Sequence, residues 1–180
     1  SVEEILAAQP DIICLSPGPG HPRDAGCMME LIDYALGEIP LFGICLGFQA
    51  LLDHHGGTVE PCGPVHGKSV AMTLTEEGAQ HPIFTGLTVD SEPDNPNYVG
   101  TQVPVARYHS LGCTQIPAGM RALATTETQI GDVVMAAETN DGMAFGVQFH
   151  PESVLSPKGP IMLERCIENL SLKSIKGETK

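Results

Sequence analysis

Phe42-Gly43-Ile44-Cys45-Leu46-Gly47-Phe48-Gln49 sets one cysteine between two glycines where an apolar run meets a helical pattern. Residues 40–44 read as a buried strand, and Gln49-Ala50-Leu51-Leu52 begins a helix at once. A strand that turns this sharply into a helix holds its turn residue at a strained, exposed point. Gly43 and Gly47 remove the side chains that would keep strand and helix apart. This is the cysteine form, G-x-C-x-G, of the nucleophile elbow. It sets a sulfur at the carboxyl end of a strand and at the positive N-terminus of a helix. Backbone N–H groups of the first turn, Leu46 first, lack intrahelical partners and can bind an oxyanion. Cysteine also serves as a small core hydrophobe, so these eight residues alone leave a buried thiol and a nucleophile both open.

Working outward, residues 11–16 form a continuous apolar run, as in a parallel strand covered on both faces. It ends in Ser16-Pro17-Gly18-Pro19-Gly20, which no helix or sheet interior accepts. Residues 25–36 read as a helix with Met28, Leu31, Ile32 and Ala35 on one face, and the elbow helix closes at Gly56-Gly57. Strand and helix alternating over short connections predict an α/β fold with right-handed crossovers. A first helix opens the chain, since Ser1 and Glu4 have capping-box spacing. Residues 58–60, 69–74 and 98–106 read as short strands without helices, which predicts antiparallel pairing at the sheet edge. Residues 91–97 read as a polar, proline-rich surface loop. Residues 121–126 and 133–138 form a meander around Ile130-Gly131-Asp132, and residues 144–149 place Phe145, Val147 and Phe149 on one face. A last helix over 161–172 packs through Ile161, Leu163, Ile167 and Leu170. One domain over 1–172 and a polar tail over 173–180 follow.

Size and charge narrow the function. The 180 residues suffice for one sizeable core, and a formal charge of −13 opposes a nucleic-acid partner. No apolar run approaches the roughly 18 residues of a membrane span. The six cysteines show no C-x-x-C pair, which fits reduced thiols in a cytoplasmic protein better than a disulfide frame or a zinc site.

The second candidate for chemistry is His150-Pro151-Glu152, at the end of the alternating strand. Pro151 confines His150 to extended angles, and an extended chain puts residues i and i+2 on one side. Glu152 can then orient one ring nitrogen while the other serves a nucleophile. The alternative is a hydrogen-bonded surface histidine. His54 and His55 are expected to face solvent, His21 and His81 to lie in loops before prolines, and the seven histidines are too scattered for a metal site. The third element is the loop from Ser16 to Gly20, whose glycines let N–H groups approach a ligand. It leaves a strand at the rim shared with Cys45 and His150, so it either completes an oxyanion hole or is a plain tight turn. No Lys-Ser/Thr pair follows it, so it is not a phosphate loop.

In the order glycine loop, cysteine, histidine, glutamate, the sequence resembles the class I glutamine amidotransferases. The matching pieces are Ser16-Pro-Gly-Pro-Gly20, Gly43-Ile-Cys-Leu-Gly-Phe-Gln49, Pro64-Val-His-Gly-Lys68, Arg107-Tyr-His-Ser-Leu111 and Gly146-Val-Gln-Phe-His-Pro-Glu-Ser153. The third and fourth look most like the glutaminase component of anthranilate synthase or of its para-aminobenzoate relative. The resemblance implies an open, mostly parallel, flavodoxin-like three-layer sheet with antiparallel edge strands. It implies Cys45, His150 and Glu152 as the catalytic triad, and Gly18 and Leu46 as the oxyanion hole. Gly18, Pro19, Gly20, Gln49, Ser110 and Leu111 would bind the glutamine.

The family also carries a β-α-β unit before the first helix seen here, so the chain is expected to be a truncated part of a longer one. Phe48 stands where the family often has His, a change with no assigned catalytic role. The implied activity is hydrolysis of L-glutamine, with ammonia passed to anthranilate synthase component I, which converts chorismate to anthranilate. His66-Gly67-Lys68 is expected at that interface, with a plain surface turn as its alternative. No cofactor is implied in this chain; magnesium belongs to the partner synthase. The competing readings are the glutaminase of 4-amino-4-deoxychorismate synthase, a γ-glutamyl peptidase and a non-catalytic regulatory relative.

Overall fold

The computed structural model describes residues 1–90, 94–95 and 100–177, with side chains through residue 174. In chain order the elements are α1 (Val2–Ala7), β1 (Ile13–Leu15), a 3-10 turn (Pro22–Asp24), α2 (Met28–Ala35), β2 (Leu41–Ile44) and α3 (Leu46–His54). There follow β3 (Glu60–Pro61), β4 (Lys68–Leu74), α4 (Glu76–Gln80), β5 (Gln102–Arg107) and β6 (Leu111–Gly112). The chain ends with β7 (Met120–Thr128), β8 (Gly131–Thr139), β9 (Ala144–Val147) and α5 (Gly159–Gly177). Seven strands form one sheet in the order β1-β2-β9-β8-β7-β4-β5, and β3 and β6 make a separate two-stranded ribbon. The pairs β1·β2 and β2·β9 are parallel. The other pairings in the large sheet are antiparallel, so the expected antiparallel region occupies more than its edge.

Period-two alternation explains how the sheet separates two cores. Phe42 and Ile44 of β2, with Phe145 and Val147 of β9, face a cluster that includes Met162, Cys166 and Leu170 of α5. Leu41 and Ala144 face the opposite cluster, with Val2 of α1, Leu31, Ile32 and Ala35 of α2, and Ala50 and Leu51 of α3. Helices therefore cover both faces of the parallel part, the three-layer arrangement expected. Each fully buried side chain of the size of Leu41, Leu51 or Phe149 contributes about 1.5–3 kcal/mol in transfer free energy.

The capping box at Ser1 and Glu4 forms as expected, with both reciprocal bonds present. Several expectations need correction. Residues 25–36 are not one helix: Gly26 takes φ +60°, so α2 begins only at Met28. β1 is buried on one face only, because Cys14 is exposed. The middle of the chain does contain a helix, α4, whose N-cap Thr75 accepts from Gly78 N–H. Five residues carry no readable apolar period, and Gly78 is required because a Cβ there would lie 1.8 Å from Leu123 O. In α5 the buried positions are Met162, Cys166 and Leu170, spaced i, i+4, i+8. Ile161 and Ile167 lie off that stripe, 39% and 50% exposed. α5 also runs past residue 172, to Gly177. The strand expected at 58–60 is shifted to Glu60–Pro61, and the expected 98–106 strand begins at Gln102. Most of the expected loop at 91–97 lies outside the described residues.

Candidate active site

The elbow is strained as its sequence requires. Cys45 takes φ 52°, ψ −102° and is the N-cap of α3. Among non-glycine residues this left-handed region is costly and persists only when the surroundings enforce it. The enforcement is steric. A Cβ on Gly47 would sit 2.1 Å from Leu15 O, and one on Gly43 would sit 2.7 Å from the Gly47 carbonyl. Cys45 N–H donates to Val147 O at 2.8 Å, tying the elbow to β9. Phe48 is wholly buried and fills the space over Gly146, where a Cβ would meet its ring at 2.3 Å. A packing role thus accounts for Phe48.

Burial pushes the Cys45 thiol up to about 11. The Leu46 N–H and the Gln148 amide oppose that rise, and the Glu152 charge adds to it. At neutral pH the resting sulfur is therefore a thiol, with the Leu46 N–H directed at it.

His150 is held through its backbone and its ring. Its N–H donates to Ala106 O at 3.1 Å. Its carbonyl accepts from Ser156 Oγ at 2.7 Å, and that oxygen in turn accepts from Ala106 N–H at 2.8 Å. Nδ1 meets Glu152 Oε1 at 2.7 Å, the i, i+2 contact expected from the His-Pro-Glu spacing. Nε2 is then the nitrogen available for proton exchange. The Tyr108 ring stands edge-on to the imidazole, with centroids 5.0 Å apart, and its hydroxyl reaches Ser153 Oγ at 3.2 Å.

A cleft of about 370 Å³ opens between these groups, lined by the loop from Pro17 to Gly20, by Cys45 and Gln49, and by residues 108–111 and His150. All the expected contact positions except Leu46 and Glu152 line it. Those two act from behind: Glu152 on His150, and Leu46 through its N–H on Cys45. The glycine loop is packed on the elbow, since a Cβ on Gly18 would lie 2.9 Å from Leu46 Cδ2. Gly20 takes φ +82°. Cys45 and His150 thus share one cleft. Gln49 is buried and its Nε2 donates to Leu111 O at 3.0 Å and to Gln148 Oε1 at 3.1 Å. Only its Oε1 is left for a substrate.

Sequence reasoning passed over Arg107, His109 and Gln148. His109 is buried, and desolvation, together with the Arg107 and His150 charges, lowers it to about 4 despite its bond to Leu111 O. It is neutral at physiological pH. Arg107 Nε donates to His109 Nε2 at 3.1 Å. The only signal in the sequence was their place in segments already singled out, because no spacing rule marks a buried amide or a neutral histidine. His54 also departs from expectation: its side chain is 20% exposed and meets Asp33 at 2.5 Å. His81 caps the end of α4 and is paired with buried Glu138 at 3.2 Å.

The family model described as glutamine amidotransferase class-I matches residues 1–170. The chain is 63% identical over 169 residues to a Corynebacterium glutamicum protein named anthranilate synthase component 2, covering 94% of this chain and 81% of that one. It is 39% identical over 164 residues to the pyocyanine-specific anthranilate synthase component 2 of Pseudomonas aeruginosa, covering 91% and 72%. Among solved structures, a Thermoplasma acidophilum protein described as a GMP synthase subunit superposes with a TM-score of 0.73 at 20% identity, covering 97% and 79%. A glutamine amidotransferase of Thermotoga maritima superposes with a TM-score of 0.58 at 20% identity, covering 96% and 69%. These two likenesses concern the fold.

Proposed function

The chain belongs to the class-I glutamine amidotransferase family, and we propose that it hydrolyses L-glutamine and hands the ammonia to a synthase partner that makes anthranilate from chorismate, in tryptophan biosynthesis. The observation that carries this reading is the 63% identity, across 94% of the chain, to a protein named anthranilate synthase component 2. The shared cleft of Cys45, His150 and the glycine loop supports it chemically.

In this reading Cys45 Sγ attacks the side-chain carbonyl carbon of glutamine while its proton passes to Nε2 of His150. A thiol held at about 11 does not ionise by itself at neutral pH, so proton transfer accompanies the attack. The carbonyl oxygen becomes an oxyanion facing the Leu46 N–H and the Gly18 loop. One such donor is worth about 2.7–4 kcal/mol in the transition state. When the intermediate collapses, the C–N bond breaks and His150 protonates the leaving nitrogen, which departs as ammonia. A glutamyl thioester remains. His150 then takes a proton from water, the hydroxyl attacks the thioester carbonyl, and the C–S bond breaks to give glutamate and the free thiol. Glu152 fixes the imidazole and offsets its positive charge at both steps. Pro19, Gly20, Gln49 Oε1 and the Ser110-Leu111 backbone bind the amino acid end of glutamine.

Ammonia released into neutral water is largely protonated and no longer a nucleophile, so this activity calls for a docked acceptor, anthranilate synthase component I. His66-Gly67-Lys68 lies at that interface in this reading. Free cysteines fit the cytoplasm, and among the described residues no helix is long and apolar enough to cross a membrane.

Reconstitution with the synthase partner tests the reading. Cys45→Ala is expected to abolish anthranilate formation from glutamine and to leave formation from ammonium salts intact. An unchanged glutaminase rate in Cys45→Ala would overturn the mechanism. Support of 4-amino-4-deoxychorismate synthesis alone would overturn the choice of partner.

A further inference from the structure

A chain of hydrogen bonds runs from a buried arginine to the sulfur of Cys45, and each link has one permitted direction. Arginine carries donors only, so His109 Nε2 accepts from Arg107 Nε at 3.1 Å. The neutral imidazole then holds its proton on Nδ1, which donates to Leu111 O at 2.7 Å. The same carbonyl accepts from Gln49 Nε2 at 3.0 Å. That nitrogen also donates to Gln148 Oε1 at 3.1 Å. With its oxygen engaged, Gln148 must turn Nε2 toward Cys45 Sγ, 3.7 Å away. All four side chains are buried: Arg107 at 6%, His109 at 4%, Gln49 at 3% and Gln148 at 0% exposed. Water therefore does not compete for these bonds.

Resting on the reading of Cys45 as the glutaminase nucleophile, we infer that Gln148 is a catalytic contact, whose amide N–H holds the reacting sulfur, and that Arg107, His109 and Gln49 are positioning residues that lock that amide in its donor orientation. An isolated glutamine amide is nearly symmetric in shape, and a flipped Gln148 would aim its oxygen at the sulfur. The oxygen would repel the thiolate as Sγ loses its proton. The one-way chain removes that alternative, because Gln49 has only donors to offer Gln148 at this contact. It also fixes Leu111, whose backbone walls the substrate cleft, so the same relay links substrate position to sulfur orientation. The opposing effects of burial, which raises the Cys45 thiol, and of the Leu46 and Gln148 donors, which lower it, agree with this geometry.

The titratable and charged groups around the sulfur are His150 and Glu152 after β9, Arg107 at the end of β5, Tyr108 and His109 just after it, and Cys14 on β1. Glu152 acts on both Cys14 and Cys45. The test therefore uses substitutions that change no charge at neutral pH. In the purified chain and in its complex with the synthase, carbamidomethylation of Cys45 by iodoacetamide is followed against pH by peptide mass mapping. Gln148→Met is expected to move the midpoint upward by about one pH unit, which slows labelling about tenfold at any pH below it. His109→Phe is expected to move it the same way by a smaller step, about threefold in rate, with kcat falling more than KM rises. A purely structural network would alter the melting temperature and leave the Cys45 titration in place. That outcome in Gln148→Met removes the catalytic contact, and in His109→Phe alone it removes the positioning chain. Gln148→Leu, also uncharged and without a donor, serves if the methionine variant does not fold. Failure of the glutaminase reading looks different: Cys45→Ala would then retain glutamine hydrolysis, whatever Gln148→Met does.

Discussion

The molecule contains the same chemical pair twice, in two regions that use it differently. On the rim after β9, His150 meets Glu152 at 2.7 Å, with the glutamate side chain 53% exposed. In the antiparallel region, His81 meets Glu138 at 3.2 Å, with side chains 11% and 7% exposed. Glu138 also takes Arg121 at 2.7 Å. The first pair joins residues two apart on a tight turn closed by Ser153 N–H to His150 O, opens on a cleft and leaves one imidazole nitrogen without a bond. The second joins α4 to β8 across the packed sheet, and its carboxylate is claimed from two sides. The first histidine–carboxylate pair is open to a cleft. The second, buried and bonded to Arg121 as well, is a structural clamp.

Three substitutions break this contrast. His150→Ala is expected to have the largest effect, a loss of about 10²–10⁴-fold in glutamine hydrolysis. Its melting temperature should fall less than that of Glu138→Gln, since the imidazole, 19% exposed, pairs with a half-exposed carboxylate at the rim. A large drop in thermal stability together with retained turnover would reverse the two assignments. Glu138→Gln comes next. Removing one partner of a buried ion pair costs about 3–5 kcal/mol, and the 45% exposure of the Arg121 side chain reduces this to about 2–4 kcal/mol. Urea denaturation measures that loss, and kcat for glutamine should remain near the parent value.

The pH dependence of the Glu138 effect carries its own sign. Burial pushes the Glu138 carboxyl up, but the bonds and charges of His81 and Arg121 outweigh it and hold the group below its ordinary value of 4.5. A depressed carboxyl contributes stability that is fully present above its unfolded value and fades as pH falls through the folded one. The stability gap between parent and Glu138→Gln should accordingly persist at neutral pH and close in acid, below 4.5. A gap that widened in acid would contradict the clamp.

Glu152→Gln should cost less kcat than His150→Ala, with little change in melting temperature, because the Glu152 side chain is 53% exposed and water can take its place beside Nδ1. If Glu152→Gln matched His150→Ala in severity, the exposed carboxylate would be doing more than orienting the ring.

The legibility of the chain followed the range of the interactions concerned. The elbow could be read because its causes are local: Gly43, Cys45 and Gly47 are neighbours, and the glycines have no other function there than close approach. His150 and Glu152 could be paired because Pro151 restricts the backbone between them. The helix α1 was visible through a capping box that spans four residues, Ser1 to Glu4. In contrast, α4 was missed because a five-residue helix shows no period and is held by Thr75 and by the contact of Gly78 with Leu123. Half of the expected α5 stripe holds, with Leu170 buried and Leu163 packed against the core; Ile161 and Ile167 were misassigned because they are as apolar as Met162 and Cys166. Only the position of the sheet beneath the helix selects among them. His81 does lie in a loop before Pro82, but its pairing was not readable because its partner, Glu138, lies far along the chain.

By itself, the sequence determined the α/β alternation, the strained cysteine turn, the histidine–glutamate dyad and the glycine loop, since each rests on backbone restrictions within a few residues. The tertiary structure alone decided which apolar face of α5 is buried and how far antiparallel pairing extends across the sheet. It also decided that Gln49, Gln148, His109 and Arg107 meet behind the nucleophile. Those outcomes depend on bonds between residues as much as 103 positions apart, from Cys45 to Gln148, and a hydrogen bond of that span leaves no periodic mark on the chain. The eight residues around Cys45 set its sulfur at a strained turn; the fold around them sets which atom of a buried amide faces it.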